Sequence, residues 1–166
     1  MSIPLSLFDS IQDYASEIQR RVQQEIQSGQ SIHFQRMKLS MGQRLKDLIQ
    51  ESYLTKSSGG IDEAGEQWSA TKKFQTSGGR MLIVSRRLLE GFQVEPTETG
   101  FRIVNRVKYA PQQFSMRSAY PQELPARWLS ELKRSAIPHL TALVREIVDQ
   151  IDSTSAVSSH LTARRI

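Results

Sequence analysis

From Trp128 to Ile151 apolar side chains recur at steps of three or four residues: Trp128, Leu129, Leu132, Ile137, Leu140, Leu143, Val144, Ile147 and Ile151. That is the period of a helix with one apolar stripe, and no other feature of the chain restricts the fold as strongly. Such a helix must bury its stripe against another element. Pro138 lies inside the run, where it either opens a helix in the first turn or bends a longer one. The residues after it, STSAVSSHLTARRI, are polar, small and basic, and 153–166 reads as a tail without structure of its own.

The beginning of the chain has the same period. LFDSIQDYASEIQRRVQQEIQSG places Phe8, Ile11, Ala15, Ile18, Val22 and Ile26 on one narrow stripe with glutamine-rich flanks. Ser6 or Asp9 caps its start. Ser28-Gly29 closes it, because glycine tolerates the left-handed conformation after a last turn. A stripe this narrow suits another helix or a neighbouring subunit. A second helix is predicted over 40–54, with Met41, Leu45, Leu48, Ile49 and Tyr53 inside.

Composition then shifts. The stretch 55–70, TKSSGGIDEAGEQWSA, is glycine-rich with one large aromatic, Trp68, and reads as a mobile loop. After the Ser77-Gly78-Gly79 turn, MLIVSRRLL reads as a brief helix, with a buried strand as the alternative that periodicity leaves open. FQVEP and FRIVNRVKY alternate and are joined by a glycine turn, which predicts two antiparallel strands. Phe101, Ile103, Val107 and Tyr109 fall on the covered face, and Arg102, Val104, Arg106 and Lys108 on the other, which is mostly basic and wet. The expected fold is α+β: a small antiparallel sheet flanked by helices, with a long N-terminal amphipathic helix and a C-terminal helix. It forms a single domain over 1–152, of which 1–39 is a helical extension.

The chain has no cysteine, so thiolate metal sites, disulfides and cysteine nucleophiles are excluded. His33, His139 and His160 stand apart from any H-x-x-H or H-E-x-x-H spacing. The glycine loops lack a phosphate-binding pattern. Asp62, Glu63 and Glu66 are close together, but a flexible loop denies them the burial that tunes a general acid. No catalytic residue, cofactor or metal ligand is nominated, and an enzyme is not expected. The net charge of +5 is spread over scattered sites such as Arg20, Arg21, Lys38, Lys72, Lys73, Lys133 and Arg134, as on a solvated surface. With 38% hydrophobic and 7% aromatic residues the chain is lean, which points either to a partly extended chain or to apolar faces covered by a partner. No signal-like opening is seen, and no apolar run reaches the roughly 20 residues of a membrane span, so a soluble cytoplasmic product is expected.

The order of short motifs is more telling than any one of them. A G-x-x-W loop (Gly65, Trp68) is followed by Thr71-Lys72-Lys73, then by Gly78, Gly79 and Leu82. Two strands end in Tyr109-Ala110 with Gln113-Phe114 beyond, and Pro125-Ala126-Arg127 precedes an aromatic and the closing helix. This order resembles the phage virion morphogenesis, or tail-completion, proteins of contractile-tailed phages such as Mu, and the wider group of head–tail neck proteins. The resemblance covers about 41–151. It departs from the family at Val84-Ser85-Arg86-Arg87-Leu88, where a threonine-glycine is usual. It departs again at Pro111-Gln112-Gln113-Phe114-Ser115, where a His-Gln and a Phe-Gly are common. The resemblance implies a structural virion protein without catalytic residues, at the neck or tail end, with host cytoplasm as its place during assembly. Its implied partners are further copies of itself in a ring matching the sixfold tail, the tail tube, the sheath and neck or connector proteins. Terminator, connector and assembly factor all remain open.

The connector 109–129, YAPQQFSMRSAYPQELPARWL, is rich in proline and aromatic residues. Proline limits the freedom a docking arm loses, and aromatics supply contact area. Tyr109, Phe114, Tyr120, Arg127 and Trp128, with Trp68 from the earlier loop, are therefore expected at a subunit or neck interface. The alternative is a surface loop packed back on its own sheet by Phe114 and Tyr120, with both tryptophans in the core. Following the family triplet, Arg127 holds backbone carbonyls of the loop. Arg102, Arg106 and Lys108 form a face that passing DNA touches only non-specifically. A small basic nucleic-acid-binding protein using those three residues is the competing reading.

Overall fold

A computed structural model describes residues 5–58, 60–68, 86–116, 120–121 and 123–163, with side chains for 10–58, 60–68, 86–114, 120–121 and 123–153. The elements are α1 (Leu5–Ser28), α2 (Ile32–Ser57), α3 (Arg87–Glu90), β1 (Phe92–Pro96), β2 (Phe101–Asn105), α4 (Ala110–Met116) and α5 (Ala126–Ala163). The fold is α+β, with one two-stranded antiparallel sheet among helices. Two compact units are formed: Met1–Met37 with Ile137–Ile166, and Lys38–Ala136.

In the first unit, Phe34, Leu143 and Ile147 are buried. The Tyr14 hydroxyl donates to Asp152 Oδ1 at 3.0 Å, and His33 Nε2 lies 2.9 Å from Glu146 Oε2. On α1, hydrogen bonds from Arg20 and Arg21 hold the Glu17 carboxyl down at about 2. Gly29 takes a φ of 66° and stops α1 as the sequence predicts. Helix α1 begins at Leu5, upstream of both Ser6 and Asp9, so neither is its cap.

Helix α2 starts well before residue 40. The Gln35 N–H donates to the Ser31 carbonyl at 3.0 Å to open the first turn, and no glycine or proline between them and residue 40 interrupts it. At the other end, α5 does not stop at a loose tail from Ser153 but continues as helix to Ala163. No proline or glycine lies between Ser153 and Ala163 to end it. Pro138 is inside this one helix. It withholds an N–H from the preceding turn, and the Ser40 hydroxyl donates to the nearby Ser135 carbonyl at 3.2 Å.

The second unit holds the main core: Leu48, Ile49, Tyr53, Trp68, Leu88, Phe92, Ala110 and Trp128. The hairpin pairs Phe92 with Asn105, Val94 with Ile103 and Pro96 with Phe101. Its turn closes through Thr97 N–H to the Gly100 carbonyl at 3.0 Å. Strand β2 ends at Asn105 rather than running to Tyr109, because the Asn105 side chain competes for the backbone. Its Oδ1 accepts from the Val107 N–H at 3.1 Å, and its Nδ2 donates to the Leu88 carbonyl at 2.6 Å. The chain turns after it, so Tyr109 is exposed instead of covered. Of MLIVSRRLL, the part from Arg87 is helix α3, and 81–85 lies outside the described residues. Lys38, expected at the surface, is 4% exposed and donates to the Thr97 and Glu98 carbonyls at 2.8 and 3.1 Å.

Candidate functional site

Ser52, Tyr53 and Lys56 share one face near the end of α2, since residues four apart are stacked on a helix. That face turns inward, and Lys56 is 0% exposed. A buried ammonium is tolerated only when paired. The loop after α2 supplies the partners: Asp62 Oδ2 at 3.5 Å and Glu66 Oε2 at 3.1 Å. The Trp68 ring lies with its centroid 5.6 Å from the ammonium.

Asp62 also folds the loop around itself. Its Oδ1 accepts from the Ala64 and Glu66 N–H groups at 3.0 and 2.9 Å, and its Oδ2 from the Ser52 hydroxyl at 2.5 Å. Gly65, at a φ of +77°, supplies the left-handed turn within it. Burial works against the Asp62 charge. The Ser52 hydroxyl, the Glu66 N–H, the Lys56 ammonium and the Ala64 N–H outweigh that cost and hold the carboxyl below its ordinary range. The expectation that Asp62, Glu63 and Glu66 lack burial is therefore wrong for Asp62, which is 8% exposed. The error came from reading glycine content as looseness, whereas the loop is wound around an internal ion pair.

Glu63 points the other way. Its carboxylate takes Arg127 on Oε1, and the Trp128 indole N–H on Oε2 at 3.1 Å. Arg127 thus grips a loop carboxylate, and among the described residues no backbone carbonyl is paired with it. The loop joins the last turn of α2 to the first turn of α5.

The aromatic residues continue from there. Trp68 meets Tyr53 edge-on at 4.9 Å, and Tyr53 meets Phe92 at 6.2 Å. Phe92 stacks on Phe114 at 5.7 Å and meets Tyr120 edge-on at 6.1 Å. Of the six side chains expected at an interface, Trp68 and Trp128 are buried in their own core, and Phe114 and Tyr120 pack against it. Tyr109 and Arg127 are exposed. Burial raises the Tyr120 hydroxyl pKa. Between the connector, α2 and β2 lies an apolar groove of about 320 Å³ whose walls include Leu45, Ile49, Ile103, Pro121, Leu124 and Trp128.

Arg102 and Arg106 are exposed on the hairpin, with Lys108 beyond it, as expected. Both arginines close on Glu95, Arg102 at 2.8 Å. Hydrogen bonds from Arg106 and Arg102 hold the Glu95 carboxyl below its usual range, so this face is less positive than its sequence suggests. Among the described residues no group of three or more His, Asp or Glu is arranged to hold a metal ion. No described helix is long and apolar enough to cross a membrane.

Sequence reading missed Lys56. It continues the Leu45, Leu48, Ile49, Tyr53 stripe at helical spacing, and a lysine on an apolar stripe just before an acidic loop was the available signal. Thr71-Lys72-Lys73, Gly78, Gly79 and Leu82 lie outside the described residues. No protein-family model, curated protein or solved structure matches the chain.

Proposed function

We propose that the chain is a structural protein of a phage virion that forms a ring at the neck or tail end and completes the tail or joins it to the head. The observation that carries this reading is the state of the connector. Phe114 and Tyr120 pack into the chain's own core, while Tyr109, Leu124 and Leu129 stay 41 to 43% exposed. Apolar side chains on an anchored segment suit a contact with a neighbouring subunit, because little ordering entropy remains to be lost on docking. The resemblance supplies the kind of assembly, and three of its motifs converge in this unit. The Gly65–Trp68 loop joins Pro125-Ala126-Arg127 through Glu63, and Ala110 is buried in the same core.

On this reading the partners are further copies of the chain, the tail tube and sheath, and neck or connector proteins. Passing DNA meets Arg102, Arg106 and Lys108 without sequence preference. The protein resides in the virion and in host cytoplasm during assembly. Electron microscopy of particles from a phage lacking the gene tests the proposal. Full heads beside separate tails, or tails of wrong length, are expected. Normally joined virions would refute it.

A further inference from the structure

Two short stretches of the second unit lie side by side where α3 meets the end of the hairpin. The Arg106 N–H donates to the Gly91 carbonyl at 3.2 Å, and the Asn105 side-chain amide donates to the Leu88 carbonyl at 2.6 Å. Residues 86–91 and 105–108 therefore make one surface. Leu88 is buried, and Leu89 and Val107 are half-buried, so the apolar side chains turn inward. Those left exposed are Arg86, Arg87, Glu90, Arg106 and Lys108, four cations and one carboxylate.

The cations are unevenly paired. Arg106 closes on Glu95, as does Arg102 further back along β2. Arg86, Arg87 and Lys108 have no carboxylate at ion-pair distance among the described residues. Arg86 also holds a φ of 54°, and no other non-glycine residue among those described has a positive φ. Glycine takes that conformation without strain, and a strained backbone position is one mark of a working residue. The company these cations keep decides their partner. A contact with another protein is centred on apolar side chains and is poor in lysine, whereas every exposed side chain of this surface is charged. Contacts with DNA are polar and strongly positive, and the guanidinium fork fits a phosphate through two hydrogen bonds.

We propose that Arg86, Arg87 and Lys108 form a phosphate-contact site for duplex DNA, indifferent to its sequence. The site rests on the reading above for its encounter with a genome. It moves the contact from the hairpin arginines, which Glu95 holds, to the cations beside α3. The free chain suffices to test it, so it fails separately from the virion assignment.

Fluorescence anisotropy of the full chain with a labelled duplex of about 30 base pairs, between about 20 and 200 mM salt, is the experiment. The logarithm of the binding constant should fall against that of the salt concentration with a slope of about −3, close to one per neutralised phosphate. Arg86→Gly, Arg87→Gln and Lys108→Gln each lower affinity several-fold at the lowest salt and cut the slope by about 1. Arg86→Gly removes the cation and suits the left-handed backbone, so weaker binding by a chain with an unchanged or higher melting temperature reports the lost charge. Arg102→Gln, whose cation Glu95 holds, changes the slope less. Lys133→Gln, which removes an exposed cation on α5, leaves affinity and slope unchanged. No binding by about 100 μM protein at about 20 mM salt, or a loss for Lys133→Gln as large as for Arg87→Gln, would overturn the site. A polyglutamate peptide bound as tightly as the duplex, with the same losses in the three variants, would assign the surface to an acidic protein partner and overturn it as well.

Discussion

Replacing Asp62 by alanine removes the centre of the loop that follows α2. The carboxylate answers the Lys56 ammonium at 3.5 Å, the Ser52 hydroxyl and two backbone N–H groups. Stranding one member of a buried ion pair costs about 3–5 kcal/mol. Glu66 remains 3.1 Å from the ammonium and is partly open to water, which places the expected loss near the lower end, about 3 kcal/mol. Lys56→Met leaves Asp62 with its Ser52 and backbone donors, so its cost is smaller, about 1–2 kcal/mol. In Lys56→Met/Asp62→Ala no ammonium is stranded, and the double variant loses less than the two singles together, by about 1–3 kcal/mol. Urea unfolding at pH 7 followed by tryptophan fluorescence measures this. Trp68 and Trp128, the only tryptophans, both lie in the unit concerned. A loss below about 1 kcal/mol for Asp62→Ala, or strict additivity in the cycle, would refute the reasoning about a buried pair. The same site makes a pH prediction. The folded carboxyl lies below its unfolded value, so its contribution is fully present above the unfolded value of about 3.9 and is lost as pH falls towards the lower folded one. Asp62→Asn therefore flattens the acid limb of the stability curve.

Three further perturbations bear on other parts of the second unit. Phe92→Ala removes the ring that Tyr53, Phe114 and Tyr120 share, and should cost about 3–5 kcal/mol in urea unfolding while making the connector more sensitive to protease. Gly91→Ala puts a methyl group 2.6 Å from Asn105 Oδ1 and 2.9 Å from the Arg87 carbonyl oxygen, so a loss of about 1–3 kcal/mol is expected by thermal melting. Glu95→Gln releases Arg102 and Arg106 and should raise affinity for non-specific duplex DNA in a fluorescence-anisotropy titration. The gain should disappear at high salt, and an unchanged affinity would show that this hairpin face does not meet phosphate.

Periodicity and turn chemistry were enough to read the α+β class, the helix α1, its glycine stop and the two strands of the hairpin. These depend on nearest neighbours along the chain: a three-to-four step for helices, alternation for strands, and a left-handed residue at a stop. Helix lengths were less legible, because a helix continues through residues with no stripe as long as none of them breaks it, as before residue 40 in α2 and after Ser153 in α5. The end of β2 was decided by one side chain, Asn105, whose amide bonds the Leu88 carbonyl from across the fold. Tertiary structure gave the charges their partners. Lys38 resembles the other lysines in sequence, yet it is buried because the distant hairpin turn folds over it with acceptors in place. Lys56 stands on an apolar stripe, but only the winding of the next loop brings Asp62 and Glu66 to it. Arg102 and Arg106 likewise look free until Glu95 is brought beside them by strand register. Whether a charge is solvated, paired or stranded depends on what surrounds it in three dimensions, and a period along the chain records only the face on which it stands.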